Sequence, residues 1–280
     1  MKKIGIYVCI LWACGLMACS DDNEIDYVEP WTDEYVLPQG KSDADDRIVA
    51  FYEQYKRYIL YDYSYLDFRY ELGGCDYELP KPEYVGDMLD LLDEIWFDFY
   101  PEEFKQKYLP LKIMLAKSLS GGYEDEYFCL RGSSCIGIGF CRDVLRDFTG
   151  KEKLEFKQKL QTTLWESYLK RLDVPEEFFE ISSYLSEAST DPESLNYARA
   201  RGFVESDSRE WYTEVGYYTK ELDKEKDLNS FAKGMILRTS EEWAVDLEWP
   251  LVKKKYDLLR SWFIDNYGVD LQKIGDKIYE

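Results

Sequence analysis

The side chains that could do chemistry in this sequence are carboxylates and cysteines, because its 280 residues include no histidine. Without an imidazole, the chain cannot form a Ser-His-Asp triad, a Cys-His pair or a histidine-ligated zinc site. Its 56 acidic residues leave room for a hydrolase that uses two carboxylates, but no spacing singles out such a pair. The seven cysteines are the remaining candidates.

One cysteine, Cys19, stands at the end of a characteristic N-terminal segment. Lys2 and Lys3 precede an uncharged apolar run from Ile4 to Met17, and Leu-Met-Ala comes directly before Cys19. This order of positive charge, short apolar stretch and small residues is typical of a secretory signal peptide. The run is too short to cross a bilayer, which takes about 20 residues. An ordinary signal peptide that happens to contain a cysteine is the alternative.

The residues from Leu16 to Cys19 resemble the lipobox of bacterial lipoproteins, whose cysteine is acylated and becomes the new N-terminus. This resemblance implies a signal peptide over residues 1–18 and a membrane-lipid anchor on Cys19. Several acyl chains such as palmitate give a lasting anchor, since each buried methylene contributes about 0.8 kcal/mol. The acidic stretch from Ser20 to Glu24 resembles the tag that sends some Gram-negative lipoproteins to the cell surface. We therefore expect a surface-exposed outer-membrane lipoprotein, although the acidic stretch also fits a solvated tether.

Four cysteines would remain in the mature domain, namely Cys75, Cys129, Cys135 and Cys141. An even number in an exported protein permits two disulfides. Buried free thiols fit equally well, because a domain of this size folds without cross-links. The spacing does not match the paired Cys-x-x-Cys of a zinc site, so we expect no metal or other cofactor.

The charge and the aromatic content of the chain limit its partners. Its formal net charge is −21, and loss of Lys2 and Lys3 with the signal peptide makes it more negative by two. Such a surface repels nucleic acid and anionic lipid head groups. The 25 tyrosines and 8 tryptophans could supply amphipathic contact surfaces, or simply the core and its rim.

The pattern along the chain divides it into three parts. Residues 1–18 are the signal peptide, and residues 19–42, which are acidic and contain Pro30, Pro38 and Gly40, predict a flexible linker. Residues 43–280 predict a single domain. Within this domain, the Tyr-, Leu- and Phe-rich segment from Ile59 to Tyr70 predicts a strand.

Helical periodicity dominates the predicted domain. Apolar residues recur at helical spacing from Asp45, from Val85 to Phe99, from Lys151 to Leu172 and from Trp249 to Tyr267. Ser240 is predicted to cap a further helix. Short strands are expected between Leu111 and Phe140. Many helices with a small sheet in the N-terminal half indicate the α+β class.

Several short motifs follow one another in a recognisable order. They are Pro175-Glu-Glu-Phe-Phe-Glu-Ile-Ser182, Gly202-Phe203-Val204, Leu228-Asn-Ser-Phe-Ala-Lys233 and Val269-Asp270-Leu271. In order and spacing they resemble the lipoprotein family known as putative zinc-binding metallopeptidases, over nearly the whole mature chain. The resemblance implies a mainly helical, zincin-like metallopeptidase scaffold.

The same resemblance implies that the metal site of the family is degenerate here. The family carries H-E-x-x-H on a helix, which brings two histidines to one zinc, and takes a further ligand from a later helix. In one register, Trp165 and Leu169 replace the histidines and Glu166 keeps the acid; a register shifted by three residues keeps none. In the later helix, the positions at which the family has acidic residues are occupied here by Asn229, Ser230 and Lys233. A lysine ammonium repels a metal ion.

The resemblance therefore implies a pseudoenzyme that keeps the scaffold and binds a peptide or a glycan in the old cleft. A structural or assembly subunit of a cell-surface complex is the alternative, and a carboxylate-based hydrolase is a less favoured one. No protein partner can be named. If the two helices face each other, Glu166 and Lys233 are expected to form a partly buried ion pair. Lys233 as a solvated surface residue is the competing expectation, since lysine is seldom buried.

Overall fold

The computed structural model describes residues 35–121, 126–185, 188–189, 191–204 and 223–280. Residues from Val36 to Glu280 form one unit by their contacts. Within the described part of the chain, no helix has the length and apolar character needed to cross a bilayer. The predicted signal peptide and Cys19 lie outside the described residues.

Helices make up most of the described chain. The α-helices are α1 (Asp45–Tyr55), α2 (Tyr65–Leu72), α3 (Val85–Ile95), α4 (Glu102–Tyr108), α5 (Gly150–Ser167), α6 (Glu177–Glu180), α7 (Lys224–Leu237), α8 (Ser240–Leu247), α9 (Pro250–Tyr267) and α10 (Leu271–Asp276). Short 3₁₀ turns lie at Pro82–Tyr84, Phe97–Phe99, Asp143–Asp147, Leu169–Arg171 and Arg199–Arg201.

Two small sheets lie in the N-terminal half. The strands are β1 (Tyr58–Leu60), β2 (Asp76–Glu78), β3 (Lys112–Leu115), β4 (Ser118–Ser120), β5 (Cys129–Arg131) and β6 (Cys135–Ile138). The larger sheet has the order β1-β3-β6-β5, in which β1, β3 and β6 are parallel and β5 is an antiparallel edge strand. Strands β2 and β4 pair antiparallel in a second sheet. The predicted α+β class is confirmed.

One apolar core joins the larger sheet to the helices. Strands β3 and β6 are buried along their whole length, because parallel strands are covered on both faces. The predicted apolar stripe of α3 is buried through Val85, Met88, Leu92 and Ile95. From the C-terminal half, α7, α9 and α10 pack into the same core through residues such as Phe231.

The sequence prediction of a strand from Ile59 to Tyr70 is wrong for most of this segment. Only β1 is extended, and α2 begins within the segment. Ser64 starts that helix through a capping box, in which its hydroxyl accepts from the Asp67 amide and the Asp67 carboxylate accepts from the Ser64 amide. The aromatic composition favoured a strand, but the local hydrogen bonds of this box determine a helix.

Two further boundaries differ from the sequence prediction. The helix expected from Lys151 to Leu172 ends as an α-helix at Ser167 and is followed by a separate 3₁₀ turn. The predicted cap of α8 is wrong by one residue, because Thr239 forms the capping box with Glu242. Both changes are local. The first one means that residues after Ser167 do not continue the helical face of α5.

The end of the range expected for the linker is bound to the domain. The Gln39 side chain accepts from the amide of Tyr61 at 2.9 Å, and the Ser42 hydroxyl donates to the carbonyl of Pro82 at 2.8 Å. Asp45 at the start of α1 accepts from the amide of Gly40 and from the Tyr61 hydroxyl, both at 2.9 Å. The folded part of the chain therefore begins before residue 43.

Candidate functional site

The site that the sequence singled out is built from the last turn of α5 and the first three turns of α7. Helix α5 starts at a capping box between Thr149 and Glu152. Its buried stripe, which includes Phe156 and Leu160, fixes the rotation of the helix on the core. This rotation turns Trp165 and Glu166 toward α7.

Helix α7 begins at Asp223, whose carboxylate accepts from the amides of Glu225 and Lys226. An N-cap of this kind satisfies amides that have no partner within the helix. The helix packs on the core through residues such as Phe231 and Met235. Asn229 and Lys233 lie one turn apart on a neighbouring face, which is the face that meets α5.

Two polar contacts join the two helices at this site. The indole Nε1 of Trp165 donates to Oδ1 of Asn229 at 2.8 Å, and Nζ of Lys233 lies 2.9 Å from Oε1 of Glu166. Trp165 is fully buried, the Lys233 side chain is 10% exposed and the Glu166 side chain is 50% exposed. Lys233 is therefore not a solvated surface lysine; its ammonium lies at the boundary between the core and the solvent.

Leu169, the fifth residue that the resemblance assigned to the old metal site, lies beyond the end of α5. It belongs to the 3₁₀ turn after α5 and is buried in the apolar core. Because α5 ends at Ser167, Trp165 and Leu169 do not present their side chains from one continuous helical face. The structure thus brings together Trp165, Glu166, Asn229 and Lys233.

A polar cleft of about 420 Å³ opens beside this cluster. Its described lining residues are Arg131, Glu166, Lys170, Asp223, Glu225, Lys226, Asn229 and Lys233. Four of them are basic, three are acidic, and none is aromatic. Such a lining suits a ligand that carries charges of both signs. The described lining residues supply no aromatic ring for stacking.

The described residues do not include three or more His, Cys, Asp or Glu side chains grouped closely enough to hold a metal ion. At the cluster itself, Glu166 is bound to an ammonium, and Asn229 is bound to Trp165. A carboxylate paired with a lysine is a poor ligand for zinc, because the ammonium repels the metal ion.

No disulfide joins any of the four cysteines of the domain within the part of the chain that the structure describes. Cys135 and Cys141 are fully buried, and burial raises the pKa of both thiols, that of Cys141 to about 12. A thiol with a raised pKa is a weak nucleophile and a weak metal ligand. Of the two alternatives that the sequence left open, the structure supports free thiols.

Another cleft, of about 460 Å³, lies at the start of α1. Lys41 and Arg47 line it, but Lys41 is paired with Asp62, and Arg47 is paired with Asp90 and Asp93. None of the residues that the sequence assigned to a site lines this cleft. We therefore take the α5–α7 cleft as the candidate site.

The sequence did not reveal a second charged pair, which is completely buried between α7 and α9. Asp227 and Lys255 have side chains that are 1% and 0% exposed and are bound to each other. Each residue stands among other charged residues in the sequence, in Lys-Glu-Lys-Asp and in Lys-Lys-Lys, so no local pattern marks it as buried.

Comparison with known proteins gives one distant likeness. No family model and no curated protein matches the chain. A solved structure of a putative zinc-binding metallo-peptidase from Bacteroides caccae superposes with a TM-score of 0.41 at 12% identity, covering 82% of this chain and 88% of that one. A likeness of this size assigns neither family nor function.

Proposed function

We propose that this protein is a surface lipoprotein of the outer membrane, anchored through Cys19, whose domain binds charged peptides and has no zinc peptidase activity. Its scaffold is metallopeptidase-like and zincin-like in this proposal. The signal segment before Cys19 supports the anchor, and the absence of histidine from all 280 residues argues against the zinc chemistry of the resembled family. The binding role rests on the α5–α7 cleft.

The observation that carries the proposal is the ion pair between Lys233 and Glu166 in this cleft. In this proposal the pair replaces the metal and the general base that the resemblance implies. A fixed ammonium beside a half-exposed carboxylate offers a peptide one site for an acidic group and one for a basic group. These groups provide orientation and specificity more than raw affinity.

Two features favour a peptide over a glycan. The described lining of the cleft has no aromatic side chain, whereas exposed aromatic rings would supply the stacking faces for a sugar. Arg131 lies on β5, the edge strand of the larger sheet, so the cleft reaches the edge of that sheet. Addition of an extended peptide to a sheet edge is a common mode of peptide recognition.

Selection from a displayed library of random peptides tests this proposal. We expect enriched peptides to carry both acidic and basic residues, because the cleft presents both charges, and their binding should weaken as the ionic strength rises. Lys233→Met should abolish enrichment, whereas the exposed Lys254→Met, outside the cleft, should leave it unchanged. Enrichment that is indifferent to Lys233→Met, or no enrichment by the wild type, would overturn the proposal.

The alternative role as an assembly subunit is favoured by the surface of α2. Tyr65, Leu66 and Tyr70 are 59%, 75% and 74% exposed and lie on one side of this helix. Adjacent exposed apolar residues are typical of contact surfaces between proteins. Cross-linking in cells with a photoreactive residue at position 66 would reveal a partner, and the absence of any cross-linked product would remove this alternative.

A further inference from the structure

The buried pair of Lys255 and Asp227 is an unusual arrangement for two charged side chains. The Nζ atom of Lys255 on α9 lies 2.5 Å from Oδ2 of Asp227 on α7, and neither side chain reaches the solvent. Two isolated charges in such a place cost several kcal/mol each in lost hydration, which the mutual attraction only partly offsets. The pair therefore has a strong tendency to lose its charges.

The surroundings of the lysine are aromatic. The rings of Phe178, Phe203 and Phe231 have their centroids 4.7, 4.7 and 5.4 Å from its Nζ atom. Burial lowers the pKa of Lys255 and raises the pKa of Asp227, although the attraction between them opposes both shifts. Both shifts favour transfer of the proton from nitrogen to oxygen, which leaves a neutral amine against a neutral carboxylic acid.

Among the described residues, two other polar groups form hydrogen bonds with the pair, one acceptor and one donor. An amide needs the same two partners, an acceptor for its N–H and a donor for its C=O. The carbonyl of Gly202 accepts from Nζ of Lys255 at 3.1 Å, and the hydroxyl of Tyr184 donates to Oδ2 of Asp227. Gly202 adopts a left-handed conformation, with φ of 84°, at the end of a 3₁₀ turn, which directs this carbonyl inward. The other carboxyl oxygen, Oδ1, has no hydrogen-bond partner within the described structure.

We propose that Lys255 and Asp227 condense to an amide that links α9 covalently to α7. One proton of the ammonium passes to Oδ1, the lone pair of the neutral Nζ attacks Cγ of Asp227, and the Nζ–Cγ bond forms. A second nitrogen proton then passes to the Oδ1 hydroxyl, the Cγ–Oδ1 bond breaks, and this oxygen leaves as water. Nothing is oxidised or reduced, and no further reactant is needed.

The polar contacts serve both the reaction and its product. Tyr184 donates to Oδ2, which carries negative charge in the tetrahedral intermediate and becomes the amide oxygen. Gly202 accepts from the nitrogen before the reaction and from the single amide N–H after it. The folded chain holds the two groups in contact, which removes most of the entropic cost of bringing them together. The oxygen without a partner is the one that leaves.

A cross-link between these helices would also stabilise the fold. It closes a loop that contains α8, so α7, α8 and α9 could not separate on unfolding. The gain arises mainly because the unfolded chain loses conformational freedom. It also replaces a buried ion pair with a neutral group whose N–H and C=O are both hydrogen-bonded.

Mass spectrometry of the full chain after denaturation and trypsin digestion tests the cross-link. We expect the wild type to give a branched peptide that joins the segments around Asp227 and Lys255 and is lighter than their sum by one water. Lys255→Met and Asp227→Ala should give linear peptides only. Lys157→Met is the control and should keep the branched peptide. Lys157 is also fully buried, but it donates to the carbonyls of Ile274 and Lys277 rather than to a carboxylate.

The wild type alone decides the question, so unfolding of a variant does not obscure it. Recovery of unmodified linear peptides around both residues from the folded wild type would overturn the proposal. Tyr184→Phe should form the branched peptide more slowly, because the donor to Oδ2 is lost. An unchanged rate in this variant would contradict the role assigned to Tyr184.

Discussion

The ammonium of Lys233 on α7 and the carboxylate of Glu166 on α5 form an ion pair of 2.9 Å, in which the lysine is nearly buried and the glutamate is half exposed. The pair and the neighbouring bond between Trp165 and Asn229 join the two helices beside the cleft. A charge of each sign is therefore held beside the cleft.

A double-mutant cycle on this pair measures its strength. Removing one partner of a buried ion pair lowers the free energy of unfolding by about 3–5 kcal/mol. Removing one partner of an exposed pair lowers it by about 0–1 kcal/mol. Because Glu166 is half exposed, we expect Lys233→Met to lower the free energy of unfolding by about 1–2 kcal/mol, with a coupling energy to Glu166→Gln of about 0.5–1 kcal/mol. Chemical denaturation of both single mutants and the double mutant gives these values.

The exposed pair of Lys170 and Glu225 lines the same cleft and provides the matched control. Its atoms lie 3.2 Å apart, but the side chains are 37% and 66% exposed. The same cycle on this pair should give a smaller coupling energy, since water screens the attraction. If the Lys233 and Glu166 losses simply add in the double mutant, the pair does not hold the helices together.

Glu71 at the end of α2 should make the stability depend on pH in the acidic range. It is buried, and it accepts from the amide and hydroxyl of Ser134 at 3.1 and 2.6 Å and from Lys112 at 3.3 Å. Burial alone would raise the pKa of Glu71, but the Ser134 hydrogen bonds and the Lys112 charge outweigh it and lower the pKa. A lowered pKa means that the stabilisation is complete above the glutamate pKa of the unfolded chain and is lost as the pH falls through the folded-state value.

We therefore expect Glu71→Gln to lower the free energy of unfolding at neutral pH by about 1–3 kcal/mol, as for other hydrogen bonds to a charged group. The difference from the wild type should shrink as the pH falls, because the wild type also loses this charge. Urea denaturation across the acidic range measures it. Glu78→Gln, which breaks an exposed pair with Lys117, is the control and should change the stability less. A difference that stays constant down to the lowest pH would refute the assignment.

Cys19→Ala tests the anchor. The predicted cleavage site lies directly before Cys19, so the variant should lose acylation at the new N-terminus and leave the membrane fraction. Metabolic labelling with an alkyne fatty acid measures this, and Cys75→Ala serves as the control that keeps its label. Undiminished label on Cys19→Ala would exclude the lipoprotein interpretation.

The metal content of the purified protein is a separate test. We expect no stoichiometric zinc at the α5–α7 site, because the chain has no imidazole and Lys233 places an ammonium beside Glu166. Elemental analysis of protein prepared without chelators measures it. One tightly held zinc per chain that is lost in Glu166→Gln would contradict the prediction.

Periodicity and capping explain which parts of the fold were predictable from the sequence. The helices α3 and α9 were found because their apolar residues recur at helical spacing. Helix α2 was missed because its aromatic residues outweighed the capping signal of Ser64 and Asp67. A Ser-x-x-Asp or Thr-x-x-Glu search would have found the starts of both α2 and α8.

The candidate site was predictable only where a resemblance supplied the pairing of helices. Glu166 and Lys233 are 67 residues apart, and no local pattern relates them. The contact of Trp165 with Asn229 follows from the same packing of helices. The burial of Asp227 and Lys255 could not be predicted, because both residues usually lie at the surface and their contact depends on how α7 meets α9.

The most direct measurement of the central claim is hydrogen–deuterium exchange of the protein with and without a peptide enriched by the library selection. If the α5–α7 cleft is the binding site, the peptide should slow exchange in the last turns of α5, in the first three turns of α7 and in β5. Lys233→Met should remove this protection. Protection confined to α2, around Tyr65 and Leu66, or unchanged protection in Lys233→Met, would contradict the account.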